Sequence, residues 1–275
     1  MSYALITGAA KGIGRAIAAA LAAKNYQLIL VDFDREQLAK TAAHLQTTYE
    51  VSIKPIFLDL SDKYAAEYIF RQTVHYHSKL QIVINNAGYG LNGAFETLGL
   101  EQQLNIIDVN IKAQLQIAYL FIPVLKNVPD AYLLNVGSTT SYQSVPFLSV
   151  YAASKAFVLS FTRSLRQELR PSSVSVSCLS PGSTDTDFVN RAGMAAHTKK
   201  IAARFNMTPQ QVARIAVKGM FKGKAEIIPG FTNRLNALLP RFFPKIVTEC
   251  IAAGIYRPRP EKALTPPPSL ILTPS

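Results

Sequence analysis

Tyr151 and Lys155 stand four residues apart in Tyr-Ala-Ala-Ser-Lys, a spacing that brings both side chains to one face of a helix. Ser138 lies upstream, past the apolar run 132–136, which reads as a buried strand ending beside it. A phenol beside an ammonium, with a hydroxyl facing both, can move a proton onto or off a carbonyl oxygen. The Lys155 cation is expected to favour the phenolate and to pull the Tyr151 pKa down toward working pH. Alone, such a pair more often marks a solvated face or a lysine stem packed on a ring. The elements that hold it decide.

Those elements alternate. Strands are predicted at 3–7, 27–31, 53–58, 81–84, 132–136, 174–179 and 226–229, separated by helical stretches that include 61–77, 101–125 and 151–169. Short apolar runs alternating with long helices predict an α/β fold: a doubly wound parallel sheet of Rossmann-like form, a single domain over 1–257 with a C-terminal helical extension at 231–257. Segment 188–224 reads as helices and loop suited to a substrate lid. Residues 258–275 hold six prolines and read as a mobile tail.

In sheets of this kind ligands bind beyond the carboxyl ends of the strands. The polar and glycine-rich groups of this chain collect there. Gly8, Gly12 and Gly14 form a G-x-x-x-G-x-G turn into an Ala-rich helix, where a pyrophosphate could approach backbone N–H groups at the positive helix end. The spacing departs from the usual G-x-G-x-x-G. Asp32 closes the second strand, 24 residues past Gly8, where a carboxylate can accept from both ribose hydroxyls and repel a 2′-phosphate. Asp34 is the better cap for the helix that follows. Asp59-Leu60, Asn85-Asn86-Ala87-Gly88 and Pro181–Thr186 end three further strands.

The 275 residues carry a net charge of +12, unevenly spread. Residues 1–190 hold 15 Lys and Arg against 14 Asp and Glu, whereas residues 191–275 hold 14 against 3. The positive field therefore belongs to the C-terminal portion. It would attract phosphates in general, but no nucleic-acid recognition motif or stacking pattern accompanies it. The apolar-basic helices near 235–255 could instead lie on anionic lipid. Two cysteines, Cys178 and Cys250, support neither a disulfide framework nor a metal site, and His44, His75, His77 and His197 form no ligand pattern. With no signal peptide or long apolar span in view, a cytoplasmic location is expected.

Together these residues resemble the classical short-chain dehydrogenase/reductase family, closely over 1–190 and more loosely to about 230. The motifs are Thr7-Gly8-x-x-x-Gly12-x-Gly14, Asp59-Leu60, Asn85-Asn86-Ala87-Gly88, Asn110, Ser138, Tyr151-x-x-x-Lys155 and Pro181-Gly182-x-x-x-Thr186. The glycine spacing is that family's own form. The resemblance implies hydride transfer between a nicotinamide and a ketone or secondary alcohol. Tyr151 would be the acid/base, Lys155 would hold the ribose and lower the phenol's pKa, Ser138 would polarise the carbonyl, and Asn110 would hold a relay water. Gly8, Lys11, Gly12, Ile13, Gly14, Asp32, Asp59, Leu60, Asn86, Ala87, Gly88, Pro181, Gly182, Ser183 and Thr186 would bind the cofactor with Tyr151 and Lys155; no metal is implied. Asp32 favours NAD, while Lys11 or Arg35 could accommodate NADP. Subunits would pair through the helices at 101–125 and 151–169 as a homodimer or homotetramer.

The C-terminal pattern Ile228-Pro229-Gly230-x-x-Asn233 is similar to a bacterial oxidoreductase branch that assigns no substrate. Tyr89, Leu91, Phe95, Tyr142, Phe147, Phe188 and Met194 are candidate pocket residues, mostly apolar, and suit a lipophilic small-molecule carbonyl or alcohol. Two other readings stay open: a catalytically silent binding module on this fold, and a membrane-surface reductase of acyl or lipid substrates.

Overall fold

A computed structural model describes residues 1–186, 188–194, 196–198, 200 and 206–258. The tail expected over 258–275 lies outside the described residues beyond Pro258, as do parts of segment 188–224.

Seven strands form one parallel sheet in the order β3-β2-β1-β4-β5-β6-β7. They are β1 (Tyr3–Thr7), β2 (Gln27–Asp32), β3 (Ile53–Phe57), β4 (Leu80–Asn85), β5 (Ala131–Val136), β6 (Val174–Leu179) and β7 (Glu226–Ile227). Strand order reverses between β1 and β4, the point at which a crevice opens above the sheet.

Strand alternation builds two cores. In β1, Ala4 and Ile6 point to one face and Leu5 to the other; in β2, Leu28 and Leu30 oppose Ile29 and Val31. The first face is covered by α1 (Gly12–Ala22), α2 (Arg35–Tyr49) and α8 (Pro209–Phe221). The second is covered by α3 (Ala65–Gln72), α5 (Ala113–Lys126) and part of α6 (Ser149–Glu168). Because both faces are buried, the strands read as continuous apolar runs.

Two expectations are revised. The helix anticipated over 61–77 is α3 followed by a 3₁₀ stretch, Val74–Lys79. Asp59 accepts from Ser61 N and Asp62 from Tyr64 N, which holds the leading residues in turns, and Thr73 Oγ1 bonds Ile69 O to end the helix. Within the anticipated lid, α8 is a core helix: Val212, Ala213, Ala216, Val217 and Met220 are buried in the first core. A short helix α7 (Phe188–Arg191) and the described residues just after it remain beside the crevice.

The long helix expected near 101–125 is three joined pieces: α4 (Leu100–Ile107), a π-turn at Asp108–Lys112, and α5, with Ala113 N bonding Asp108 O across the widened turn. Pro123 lies inside α5, which runs on to Lys126. Two further helices, α9 (Phe231–Leu238) and α10 (Lys245–Tyr256), complete the described chain.

Candidate active site

A cavity of about 890 Å³ lies over the carboxyl ends of the strands. Of the residues singled out above, Gly8, Lys11, Gly12, Ile13, Asp32, Asp59, Leu60, Asn86, Ala87, Gly88, Ser138, Tyr151, Lys155, Pro181, Gly182, Ser183 and Thr186 line it. Gly14 and Asn110 stand behind its wall.

At the glycine end, Gly8 and Gly12 take φ of 65° and 56°. A Cβ on Gly14 would fall 2.1 Å from Gly8 O, so the turn closes on itself only without a side chain there. The first turn of α1 has neither a side-chain cap nor an acidic residue. Its leading N–H groups therefore remain available to an anion in the cavity. Asn86 secures the loop from the neighbouring strand: its Nδ2 donates to Thr7 O at 2.9 Å and Gly8 O at 3.0 Å. Thr7 Oγ1 in turn accepts from Asn86 N and Ala87 N. Both amide hydrogens of Asn86 are thus spent on the protein, and its side chain acts by holding the glycine turn.

Asp32 accepts one main-chain bond on each oxygen, from Ala10 N at 2.9 Å and Asp34 N at 3.0 Å. Asp34 caps α2 through Gln37 N and pairs with Lys11 at 2.9 Å. Lys11, then the Gln37 N–H, hold the Asp34 carboxyl below its ordinary value. Arg35 lies over the Phe57 ring, 4.8 Å from its centre. Two carboxylates therefore stand at the end of β2 with Lys11 beside one of them.

At the other end Tyr151 and Lys155 sit one turn apart on α6, both almost fully buried. Ser138 follows β5; its hydroxyl accepts from Thr140 N and lines the cavity together with Tyr151. Lys155 Nζ donates to Val136 O at 2.9 Å and lies 5.9 Å from the Tyr151 ring centre. Ser141 Oγ bonds Lys155 O at 2.8 Å and accepts from Ser138 N, fastening the loop to the helix.

Asn110, in the π-turn, donates to Tyr89 O and Ser154 Oγ and accepts from Tyr89 N. Ser154 Oγ bonds Tyr151 O at 2.7 Å. The Asn110 amide thereby ties the loop after β4 to the turn of α6 that carries the phenol. π-turns of this kind often sit at functional sites.

The electrostatics depart from the expectation that Lys155 lowers the Tyr151 pKa. Burial pushes Tyr151 up to about 12, partly offset by the Ser138 hydrogen bond, and Tyr256 adds to the rise. Burial also pushes Lys155 down to about 8. The ammonium is turned to the Val136 carbonyl, and desolvation is the leading cause of both shifts. The phenol accordingly keeps its proton at neutral pH.

Of the expected pocket residues, Tyr89, Leu91, Phe188 and Met194 line the cavity, and the Phe188 ring lies 5.2 Å from that of Tyr151. Phe95, Tyr142 and Phe147 do not. Phe95 faces solvent, Tyr142 bonds Ser180 and Glu226, and Phe147 packs under Arg257. The reading of the chain missed Arg191, which stacks over Phe33 and Tyr89, and the pair Ile255 and Tyr256, which bring the end of α10 onto the cavity. His197 and Thr198 meet Ile255 O, and Asn92 Nδ2 donates to Tyr256 O at 2.9 Å. No spacing rule marks such closing residues: Arg191 arrives from 40 positions downstream of Tyr151, and Ile255 and Tyr256 from more than 100.

The Ile-Pro-Gly…Asn pattern has a physical role. Asn233 Nδ2 donates to Pro229 O at 2.7 Å, and a Cβ on Gly182 would fall 2.2 Å from Asn233 Oδ1. The inner face of α9 is thus seated directly on the loop after β6.

Comparisons with known proteins agree with this arrangement. The profile of the short chain dehydrogenase family matches residues 2–197. A Mycobacterium tuberculosis chain carrying the provisional name oxidoreductase SadH is 30% identical over 263 residues, 92% of this chain and 95% of that one. A short-chain dehydrogenase from Sphingobium yanoikuyae, solved in complex with NADPH, superposes with a TM-score of 0.78 at 25% identity, covering 96% of this chain and 99% of that one. A short-chain dehydrogenase/reductase from Burkholderia phymatum, solved with NAD, gives 0.79 at 21% identity over 88% and 93% of the two chains.

Proposed function

The chain belongs to the short-chain dehydrogenase family, and on that premise we propose that it reduces a lipophilic ketone, or oxidises the matching secondary alcohol, with Tyr151 as general acid/base. A nicotinamide cofactor supplies or accepts the hydride when bound. The uncapped start of α1, the Gly8–Gly14 turn and the loop 181–186 would hold it, and a substrate would lie beside Tyr151 in the same cavity of about 890 Å³.

The observation that carries this reading is the presence of Ser138 and Tyr151 together at the cavity wall, with Lys155 one helical turn from the phenol. A carbonyl oxygen placed between the two hydroxyls receives the phenolic proton as charge develops on it, and Ser138 supports that charge. Lys155 keeps a positive charge next to the phenolate that forms. Asn110 fixes the backbone beneath them. Any relay water at Asn110 would meet an amide whose two hydrogens are already engaged, so its remaining oxygen lone pair or main-chain carbonyl would serve.

NAD is the favoured cofactor. Asp32 and Asp34 set two carboxylates where a 2′-phosphate would go, and only Asp34 has a cation within ion-pair distance among the described residues. The NADPH bound by the Sphingobium relative keeps the alternative open to measurement. Leu91, Leu148, Phe188, Met194, Ile255 and Tyr256 give the Tyr151 end an apolar lining, which supports a lipophilic substrate. Leu104, Leu115 and Tyr119 are exposed on α4 and α5, which supports pairing of subunits through these helices.

Replacing Tyr151 by Phe tests the proposal. Oxidation of reduced cofactor, followed by absorbance across aromatic and aliphatic ketones, is expected to drop about 10²–10⁴-fold. Cofactor affinity, followed by fluorescence, stays as it was. Turnover unaffected by the substitution would sink the assignment, and cofactor binding with no ketone reduced by the native protein would favour a silent binding module.

A further inference from the structure

Helices α1 and α8 turn their large apolar residues into the core, but α9 and α10 do the reverse. Their buried positions are Asn233, Ala237, Thr248 and Ala252, polar or small. The large apolar side chains face outward: Phe231 is 82% exposed, Phe242 79%, Ile246 65% and Ile251 61%. Leu235, Leu238, Phe243 and Val247 continue the stripe. Spacings of three and four residues place these groups on one side of each helix, opposite the buried positions. A concentration of exposed large apolar side chains in one short segment marks an interaction face.

The charges around it select the partner. Between residues 231 and 257 stand Arg234, Arg241, Lys245 and Arg257 against Glu249 alone, within a portion of the chain that is strongly positive throughout. Arg241, on the connection between the two helices, and Lys245, at the start of α10, are exposed. A second copy docking through the same patch would bring like charge to like charge across a two-fold axis. An anionic bilayer offers what this face lacks: hydrocarbon for the aromatic and aliphatic groups, and negative headgroups for the cations.

We propose that α9 and α10 dock the protein on the surface of an anionic lipid membrane. No described helix is long and apolar enough to cross a bilayer, so the contact is peripheral. The inner sides of the same helices supply Asn233, Asn236, Ile255 and Tyr256 to the large cavity. A docked molecule thus holds its cavity next to the lipid from which an apolar compound could enter. The docking itself does not depend on the hydride-transfer reading.

Sedimentation of the full chain with phosphatidylcholine vesicles containing phosphatidylglycerol, against phosphatidylcholine alone, tests it. The native protein is expected to sediment with the anionic vesicles and far less with the neutral ones. Phe242→Ser, Ile246→Ser and Ile251→Ser should each weaken binding about tenfold. Arg241→Gln and Lys245→Gln should each weaken it about fivefold, and added salt should do the same. All five positions are exposed, so melting temperature and reduction of a water-soluble ketone serve as controls that should not move. Absence of sedimentation, or sedimentation unaffected by these substitutions, would overturn the proposal. So would light scattering that shows a stable oligomer breaking into monomers when the apolar groups are replaced, since a second copy would then be the occupant.

Discussion

The two ends of this molecule solve opposite problems. In residues 1–186, charges nearly balance, and the polar groups at the cavity are fastened to neighbours: Asn86 to the glycine turn, Asp32 to two N–H groups, Lys155 to Val136 O. From 206 to 258 the chain is cationic and turns phenylalanine and isoleucine to the outside. One region is preorganised for small groups that must be placed within a fraction of an ångström. The other offers a broad, weakly shaped surface. Chemistry needs the first, and attachment needs the second.

Substitutions can break this contrast, and the largest effect falls where space is tightest. Gly14→Val should abolish cofactor binding, a loss of more than about a hundredfold in affinity by fluorescence titration, because the added carbons have no room beside Gly8 O. Retained affinity would show that the turn can open and that its rigidity is not required.

Next comes the pH response. Lys155, held down to about 8 by burial, is charged below that pH and neutral above it, whereas Tyr151 at about 12 remains protonated. The kcat/KM for reduction should therefore fall about tenfold per pH unit above 8. In Lys155→Arg the break should disappear if the variant retains activity, since guanidinium does not titrate there. The same shift has a stability consequence. Between about 8 and 10.5 the unfolded chain binds more protons at this site than the folded one, so Lys155's contribution to stability rises with pH across that window.

A smaller change is expected at Asn86→Ala, which removes two bonds to the turn but no contact required for proton transfer. Cofactor affinity should weaken about tenfold with a loss of stability of about 1–3 kcal/mol, read by titration and thermal melting. Turnover at saturating cofactor should be nearly kept. The smallest effect sharpens the comparison from the other side. Ile246→Ser should leave kcat and KM for a soluble ketone unchanged, because the residue neither lines the cavity nor supports its walls.

Much of the site could be read from spacing because the fold concentrates chemistry at strand ends, and a strand end is where an apolar run meets Gly, Asn or Asp. Asp32, Asn86 and Ser138 announce themselves in that way. The single parallel sheet follows from the same alternation. Other features have no local signature. The π-turn at Asp108–Lys112 arises from one shifted hydrogen bond inside a helix-like sequence. The helix expected from residue 61 gives way to side-chain bonds from Asp59 and Asp62 that compete with the helical pattern. Tyr256 reaches Tyr151 only through tertiary packing, and the direction of the Tyr151 and Lys155 shifts depends on burial that no neighbouring residue reports. Segment 188–224 reads as helices and loop suited to a lid, yet α8 is core, since its apolar face is decided by α1 lying opposite.

The seat of Asn233 on Gly182 carries a mechanical implication. With no slack between them, a sideways displacement of α9 by even half a side chain's width must push the strand-end loop that borders the reaction chamber. Any side chain at position 182 would therefore have to displace Asn233, and α9 with it, from the strand-end loop.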